Sequence, residues 1–284
     1  MADFAEQWFS IDFVGNLLRI RVDSPRAADA VRFLFDGHIT SVAGEAAPIV
    51  TLLKDAVRGG YRLALGEHVV APRLDDDELE IALVQLAQYQ LVVNESRLAM
   101  IHGAALVKNG QGMLLAANAG FGKTTLTSWL LGHGYGFLSD ELTAIDFAGV
   151  MDGFGRPLNL KPGSVDICQQ FNWLRAGLQH SRVSSNVTLL PWPKAATREV
   201  PLTAILFPHY QADAAFKVDF LSPGRAASGL MGCLMNSRNL SKNGLSLAVE
   251  LTRARPCYEL VYSDMVDVSD WLESEGRAVR ASTQ

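Results

Sequence analysis

Ala117-Asn118-Ala119-Gly120-Phe121-Gly122-Lys123-Thr124-Thr125 stands between a short apolar run, residues 113–116, and a stretch with Leu126, Trp129 and Leu130 at helical spacing. The context gives the loop its meaning. An apolar strand entering, small residues that permit a sharp turn, and a helix starting near Lys123 together predict a phosphate-binding loop. Backbone N–H groups at such a helix start converge on an anion, and the helix dipole adds to the attraction. Asn118, Ala119, Gly120, Phe121, Gly122, Lys123, Thr124 and Thr125 are therefore the expected binding residues for a nucleoside triphosphate. Lys123 would reach the β- and γ-phosphates, and the Thr124 hydroxyl would ligate Mg2+. Ala117 departs from the usual opening Gly. The alternative, a small-residue turn that binds nothing, leaves the Gly-Lys-Thr run unexplained.

The stretch before the loop is equally informative. Residues 100–107 read as a strand, Lys108-Asn109-Gly110 as a turn, and residues 113–116 as the returning strand, because Asn-Gly between apolar runs signals a hairpin. An antiparallel partner thus comes directly before the loop, where ordinary phosphate-loop proteins have a crossover. After the loop, Gly132 and Gly134 offer helix stops, and residues 135–138 form a strand that delivers Asp140 and Glu141 at its C-terminal end. Ligands bind at that edge of α/β sheets.

Further out the signals weaken. Residues 1–95 read as an accessory α+β segment, with β-prone runs at 17–22 and 49–54 and a hairpin through Gly66-Glu67. A helix over 25–35 would be capped by Ser24. Residues 75–93 predict a helix whose start is crowded by Asp75, Asp76, Asp77 and Glu78, a charge pattern the dipole favours. Residues 96–270 form the expected nucleotide-binding domain. Within it, 149–153 reads as a turn, 154–164 as extended loop, and 174–200 as a polar, basic mobile loop. Strands at 202–207, 216–221 and 257–262 and helices at 224–235 and 245–252 follow, and 271–284 reads as a frayed tail. Arg182, Lys194 and Arg198 fit either a substrate-gripping loop or a solvated one.

Composition narrows the classes. The chain has 284 residues, 49% of them hydrophobic, enough for a substantial core. A formal charge of −5 argues against a general nucleic-acid binder. Cys168, Cys233 and Cys257 have no metal-type spacing and suit buried positions in a reducing compartment. No basic leader precedes an apolar core, and no apolar run approaches bilayer length. The expectation is a cytoplasmic protein with neither nucleic-acid nor membrane partners.

His102-Gly103, the loop, Asp140-Glu141 and the Arg156…Lys161 segment together resemble the HPr kinase family. These are bacterial serine kinases whose fold is shared with the phosphoenolpyruvate carboxykinases. The His102-to-Lys123 spacing matches the family, and Gly134-Tyr135-Gly136-Phe137-Leu138-Ser139-Asp140-Glu141 follows its strand pattern with Glu in place of the second Asp. The resemblance covers 97–165, weakens over 200–265 and is absent over 1–72. It implies an α/β fold: a phosphoenolpyruvate carboxykinase/HPr kinase-like P-loop domain with a mixed sheet, plus the small N-terminal α+β segment. It implies a kinase that uses ATP and Mg2+, with Thr124 and Glu141 on the metal, Lys123 on the transferred group, and Asp140 as general base. His102 would orient Asp140 or a phosphate, and Arg156 and Lys161 would contact phosphate or substrate. The acceptor would be a serine hydroxyl of a peptide or small protein, as in relatives beside lasso-peptide genes, or a small hydroxylated metabolite. The family's oligomers extend the expectation to a homo-oligomer. Its C-terminal signature, tied to reverse dephosphorylation, is not found here. A catalytically reduced ATP-binding regulator, a signalling ATPase and a carboxykinase are the competing readings.

Overall fold

The computed structural model describes residues 4–42, 44, 46–57, 59–117, 120–191 and 198–281. It is an α/β protein with mixed sheets. The N-terminal unit begins with β1 (Gln7–Phe13) and β2 (Asn16–Val22), followed by α1 (Pro25–Phe35). As expected, Ser24 caps α1, its hydroxyl accepting the Ala27 N–H at 3.3 Å. β3 (Ile39–Thr40), β4 (Ile49–Lys54), β5 (Tyr61–Leu65) and β6 (His68–Leu74) complete a six-stranded sheet ordered β3-β1-β2-β4-β5-β6. Pro72 is tolerated because β6 is an edge strand. Alternate residues, among them Ile11, Phe13, Leu18, Ile20 and Val22, are buried on one face beneath α1 and α2 (Leu79–Val92). The α2 helix starts later than the acidic run predicts. Asp75–Glu78 forms a turn instead, in which the Glu78 carboxylate accepts the Asp75 N–H at 3.0 Å.

The second unit runs β7 (Ala99–Lys108), β8 (Gln111–Ala116), α3 (Lys123–Gly132), β9 (Gly136–Ser139), β10 (Leu142–Ile145), β11 (Val150–Gly153) and β12 (Leu158–Leu160). Then come α4 (Pro162–Cys168), α5 (Asn172–Leu178), β13 (Arg182–Ser184), β14 (Val187–Leu190), β15 (Val200–Tyr210) and β16 (Lys217–Phe220). α6 (Pro223–Gly232), α7 (Leu245–Arg253), β17 (Cys257–Tyr262) and α8 (Met265–Ala281) close the chain. The main ladder is β11-β10-β7-β8-β15-β17-β16, with β9 paired to β7, and β11 also pairs with β15 so that the ladder bends back on itself. The hairpin read from Asn109-Gly110 is present: both residues have positive φ, 54° and 74°, and β7 pairs antiparallel with β8. Both faces of this sheet are covered. Ala105, Val107 and Leu114 face α6 and α7, while Ala104, Leu106 and Leu115 face α3, α5 and α8. That two-sided burial is why β7 and β8 read as continuous apolar runs.

Several expectations for the second unit are corrected. Most of residues 149–153, expected to turn, forms the strand β11 (Val150–Gly153), and 154–164 contains β12 and the start of α4. Residues 174–191 are ordered as α5, β13 and β14, the two strands joining β12 in a three-stranded sheet. Their polar residues are engaged in tertiary contacts: Arg182 bonds Glu80 and Asp29, and the Ser184 hydroxyl accepts the Ile81 N–H. Arg182 therefore belongs to the frame and not to a substrate-gripping loop, and Lys194 lies outside the described residues. The tail expected to fray is helical to Ala281, because Val268 is buried and Trp271 meets Tyr258 edge-on at 5.0 Å. One core joins the two units, since Met100, Leu142, Ala144, Phe154 and Leu189 pack into the N-terminal cluster. No helix among the described residues is long and apolar enough to cross a membrane.

Candidate active site

The loop leaves β8 at Ala116, and α3 starts at Lys123 behind Gly122, which has φ 80°. A Cβ at Gly122 would lie 2.8 Å from Tyr210 Cβ and 2.8 Å from the Tyr262 hydroxyl, so both conformation and space require glycine. Gly120 also has positive φ, 94°, and open space around it. The Tyr210 N–H donates to the Phe121 carbonyl at 3.2 Å and ties the loop to the end of β15. Helix geometry leaves the N–H groups of Lys123, Thr124 and Thr125 without intrahelical acceptors. Asn118 and Ala119, expected in the loop, lie outside the described residues. Lys123 is buried, and its ammonium donates to the Ala117 carbonyl at 3.4 Å. The departure at Ala117 thus leaves the contact that this position makes, a backbone one, intact. Burial holds the Lys123 pKa below its ordinary value, with Glu141 and Asp140 opposing.

Across from the loop stand the acidic residues that follow β9. Glu141 presents one oxygen to His102 Nδ1 and the other to Arg156 Nη2, each at 3.4 Å. Burial, and then the charge of Lys123, hold the His102 pKa down, which favours the neutral imidazole. Asp140 is fully enclosed. Its Oδ2 accepts the Asn159 N–H at 3.1 Å, while its Oδ1 is buried without a hydrogen-bond partner. Burial raises its pKa, and the positive charge of Arg156 opposes the rise. Arg156 Nε and Nη1 and Asn159 Oδ1 are likewise buried without partners. Unpartnered atoms on three neighbouring residues mark a place that a ligand or ordered water completes.

A cavity of about 320 Å3 lies between these walls. Gly120, Gly122, Lys123 and Thr124 border it on the loop side, His102 and Glu141 face them, and Asn159, Lys161 and Ser164 form the rim. Of the residues expected at the site, the cavity gathers these loop residues with Thr125, His102, Glu141 and Lys161. Asp140 and Arg156 stand behind its wall. Asn159, Ser164 and Tyr210 were missed by the sequence reading. Tyr210, at the C-terminal end of a strand, carried a positional signal, whereas Asn159 reaches the site through pairing that sequence does not display. The donors facing the cavity suit Mg2+, which takes hard oxygens such as the Thr124 hydroxyl and the Glu141 carboxylate together with substrate phosphates and water. Among the described residues no group of three His, Cys, Asp or Glu could hold a metal on its own. A larger cavity, about 840 Å3, lies between the N-terminal unit and β10–β11, bordered by Asp12, His38, Arg97 and Arg198. It has no phosphate loop, so size does not decide the site.

No family model matches the chain, and no curated protein matches it.

Proposed function

We propose that the chain is an ATP-dependent kinase of the HPr kinase/phosphoenolpyruvate carboxykinase-like P-loop fold, transferring the γ-phosphoryl group to an acceptor hydroxyl. The observation that carries this reading is one cavity with the Lys123 helix start on one side and Glu141 with His102 on the other. The antiparallel β7–β8 hairpin feeding the loop supports the fold. In this reading Lys123 and the loop N–H groups neutralise charge on the transferred group, and positioning supplies most of the rate. Thr124 and Glu141 would hold Mg2+, which would supply positive charge against the phosphates. Asp140, enclosed behind the cavity wall, would take the acceptor's proton through one bridging water. Its unpartnered Oδ1 awaits a donor and its raised pKa suits a base, and contacts of this kind tighten only in the substrate complex. Lys161, on the rim, is placed to meet an incoming phosphate or acceptor. The acceptor is a serine hydroxyl of a peptide or small protein, or a small hydroxylated metabolite.

ADP formation with Mg2+ and a panel of serine peptides and small polyols tests this reading. Lys123→Met should lower turnover on the order of 10²- to 10³-fold. Asp140→Asn should lower transfer on the order of 10²- to 10⁴-fold while Mg-ATP still binds. If Asp140→Asn leaves transfer unchanged, Asp140 is not the base. Tight Mg-ATP binding with no turnover on any acceptor would instead favour a nucleotide-binding regulator.

A further inference from the structure

The N-terminal unit sends a polar side chain to the backbone that carries Arg156. His38, between α1 and β3, is buried at 4% exposure, and its Nε2 faces the Gly155 N–H at 3.1 Å. A backbone N–H only donates, so Nε2 is the acceptor and the ring proton sits on Nδ1. Nδ1 in turn donates to the Asp12 carbonyl at 3.1 Å. The ring lies 4.5 Å from Phe154 and meets Phe13 edge-on at 5.8 Å, which fixes its plane.

Gly155 immediately precedes Arg156. The Phe154 N–H donates to the Leu142 carbonyl at 2.9 Å, and the Arg156 N–H to the Phe154 carbonyl at 2.9 Å. The chain therefore turns tightly at Gly155, beside the residue that follows Glu141. Arg156 depends on this turn more than an ordinary buried arginine would. Its Nη2 meets Glu141 at 3.4 Å, but Nε and Nη1 have no partner, so its own hydrogen bonds do not fix it. Backbone placement does, and His38 holds that backbone.

We propose that His38 is a positioning residue for the transfer site: by accepting the Gly155 N–H it sets where Arg156 presents its guanidinium to Glu141. The N-terminal unit then completes the site rather than merely covering the sheet. The inference rests on the kinase reading for its consequence in turnover, but not for the latch itself.

The test compares His38→Leu, which removes the acceptor and leaves the Gly155 N–H unpaired, with His38→Gln, which keeps an acceptor near the Nε2 position. Two readouts are used on the full-length protein: amide hydrogen exchange over residues 154–160, and Mg-dependent ADP formation from ATP with the best acceptor found. His38→Leu should exchange faster over 154–160. Its kcat should fall on the order of 10- to 100-fold, with KM for ATP unchanged. His38→Gln should recover most of both. Unchanged exchange in a folded His38→Leu protein overturns the latch, and faster exchange with wild-type kcat overturns the positioning role. Absence of turnover in the wild type would sink the kinase reading, while exchange would still decide the latch.

Discussion

Glu95 and Asp140 are both buried carboxylates, and the protein treats them in opposite ways. Glu95, between the two units, accepts hydrogen bonds from Asn16 Nδ2, the Arg97 guanidinium and the N–H groups of Arg97 and Leu98. Burial would push its pKa up, but these bonds outweigh it and bring the value down to about 2. Asp140 has one backbone donor, an orphaned oxygen and a raised pKa. The comparison separates structure from chemistry. A carboxylate that only has to hold the fold is satisfied on every side, while one left short of donors costs stability, a cost that a site keeps for its substrate.

The largest expected effect tests the functional half of this contrast. In the kinase reading, Asp140→Asn lowers kcat on the order of 10²- to 10⁴-fold, the usual range for a proton-transfer group. Glu95→Gln leaves kcat of the folded protein unchanged. Steady-state assays of both variants, normalised to folded protein, decide this. Equal losses would mean that the two carboxylates do not differ in kind.

Stability should move the other way. Glu95→Gln weakens charge-assisted hydrogen bonds and should cost about 1.5–3 kcal/mol at neutral pH, read from urea midpoints. The wild-type advantage is present above the ordinary value of 4.5 and is lost as pH falls through about 2, so the two proteins should converge there. Asp140 has the opposite sign. Its folded pKa is raised, so its contribution is fully present below the ordinary value of 3.8 and lost as pH rises through the folded pKa. Asp140→Asn should therefore melt higher than wild type at neutral pH, with the difference closing in acid. A variant that melts lower at neutral pH would show that the carboxylate is well satisfied after all.

Sequence displayed one half of this contrast and hid the other. The Asn109-Gly110 hairpin, the Lys123 loop and helix, and Asp140-Glu141 are contiguous along the chain, so local turn chemistry and periodicity carry them. What surrounds Asp140 is not contiguous with it. Asn159 and Arg156 come from a stretch that reads as an extended loop, and β12 finds its partner only in β14, some thirty positions on. His38 is buried against Phe13 and Phe154, which come from two different units. The same logic explains α8, whose Val268, Trp271 and Leu272 pack into a cluster built from elements distant in sequence, with Trp271 meeting Tyr258 edge-on.

A third buried carboxylate supplies the mildest test. Glu80 receives Arg26 through both of its oxygens, at 2.7 and 2.9 Å, and Arg182 through one, at 3.1 Å. It therefore belongs with Glu95. Removing Arg182 leaves the two-point Arg26 contact in place, and Arg182 itself is partly exposed, bonded also to the exposed Asp29 and stacked on Phe33 at 4.1 Å. Arg182→Ala should cost below about 1 kcal/mol, the usual scale for a screened pair, and leave turnover untouched. Matched urea titrations and ADP assays read both quantities. A loss of turnover without a loss of stability would return Arg182 to a substrate-binding role and place Glu80 beside Asp140 instead, because a carboxylate whose partner serves a substrate is not there only to hold the fold.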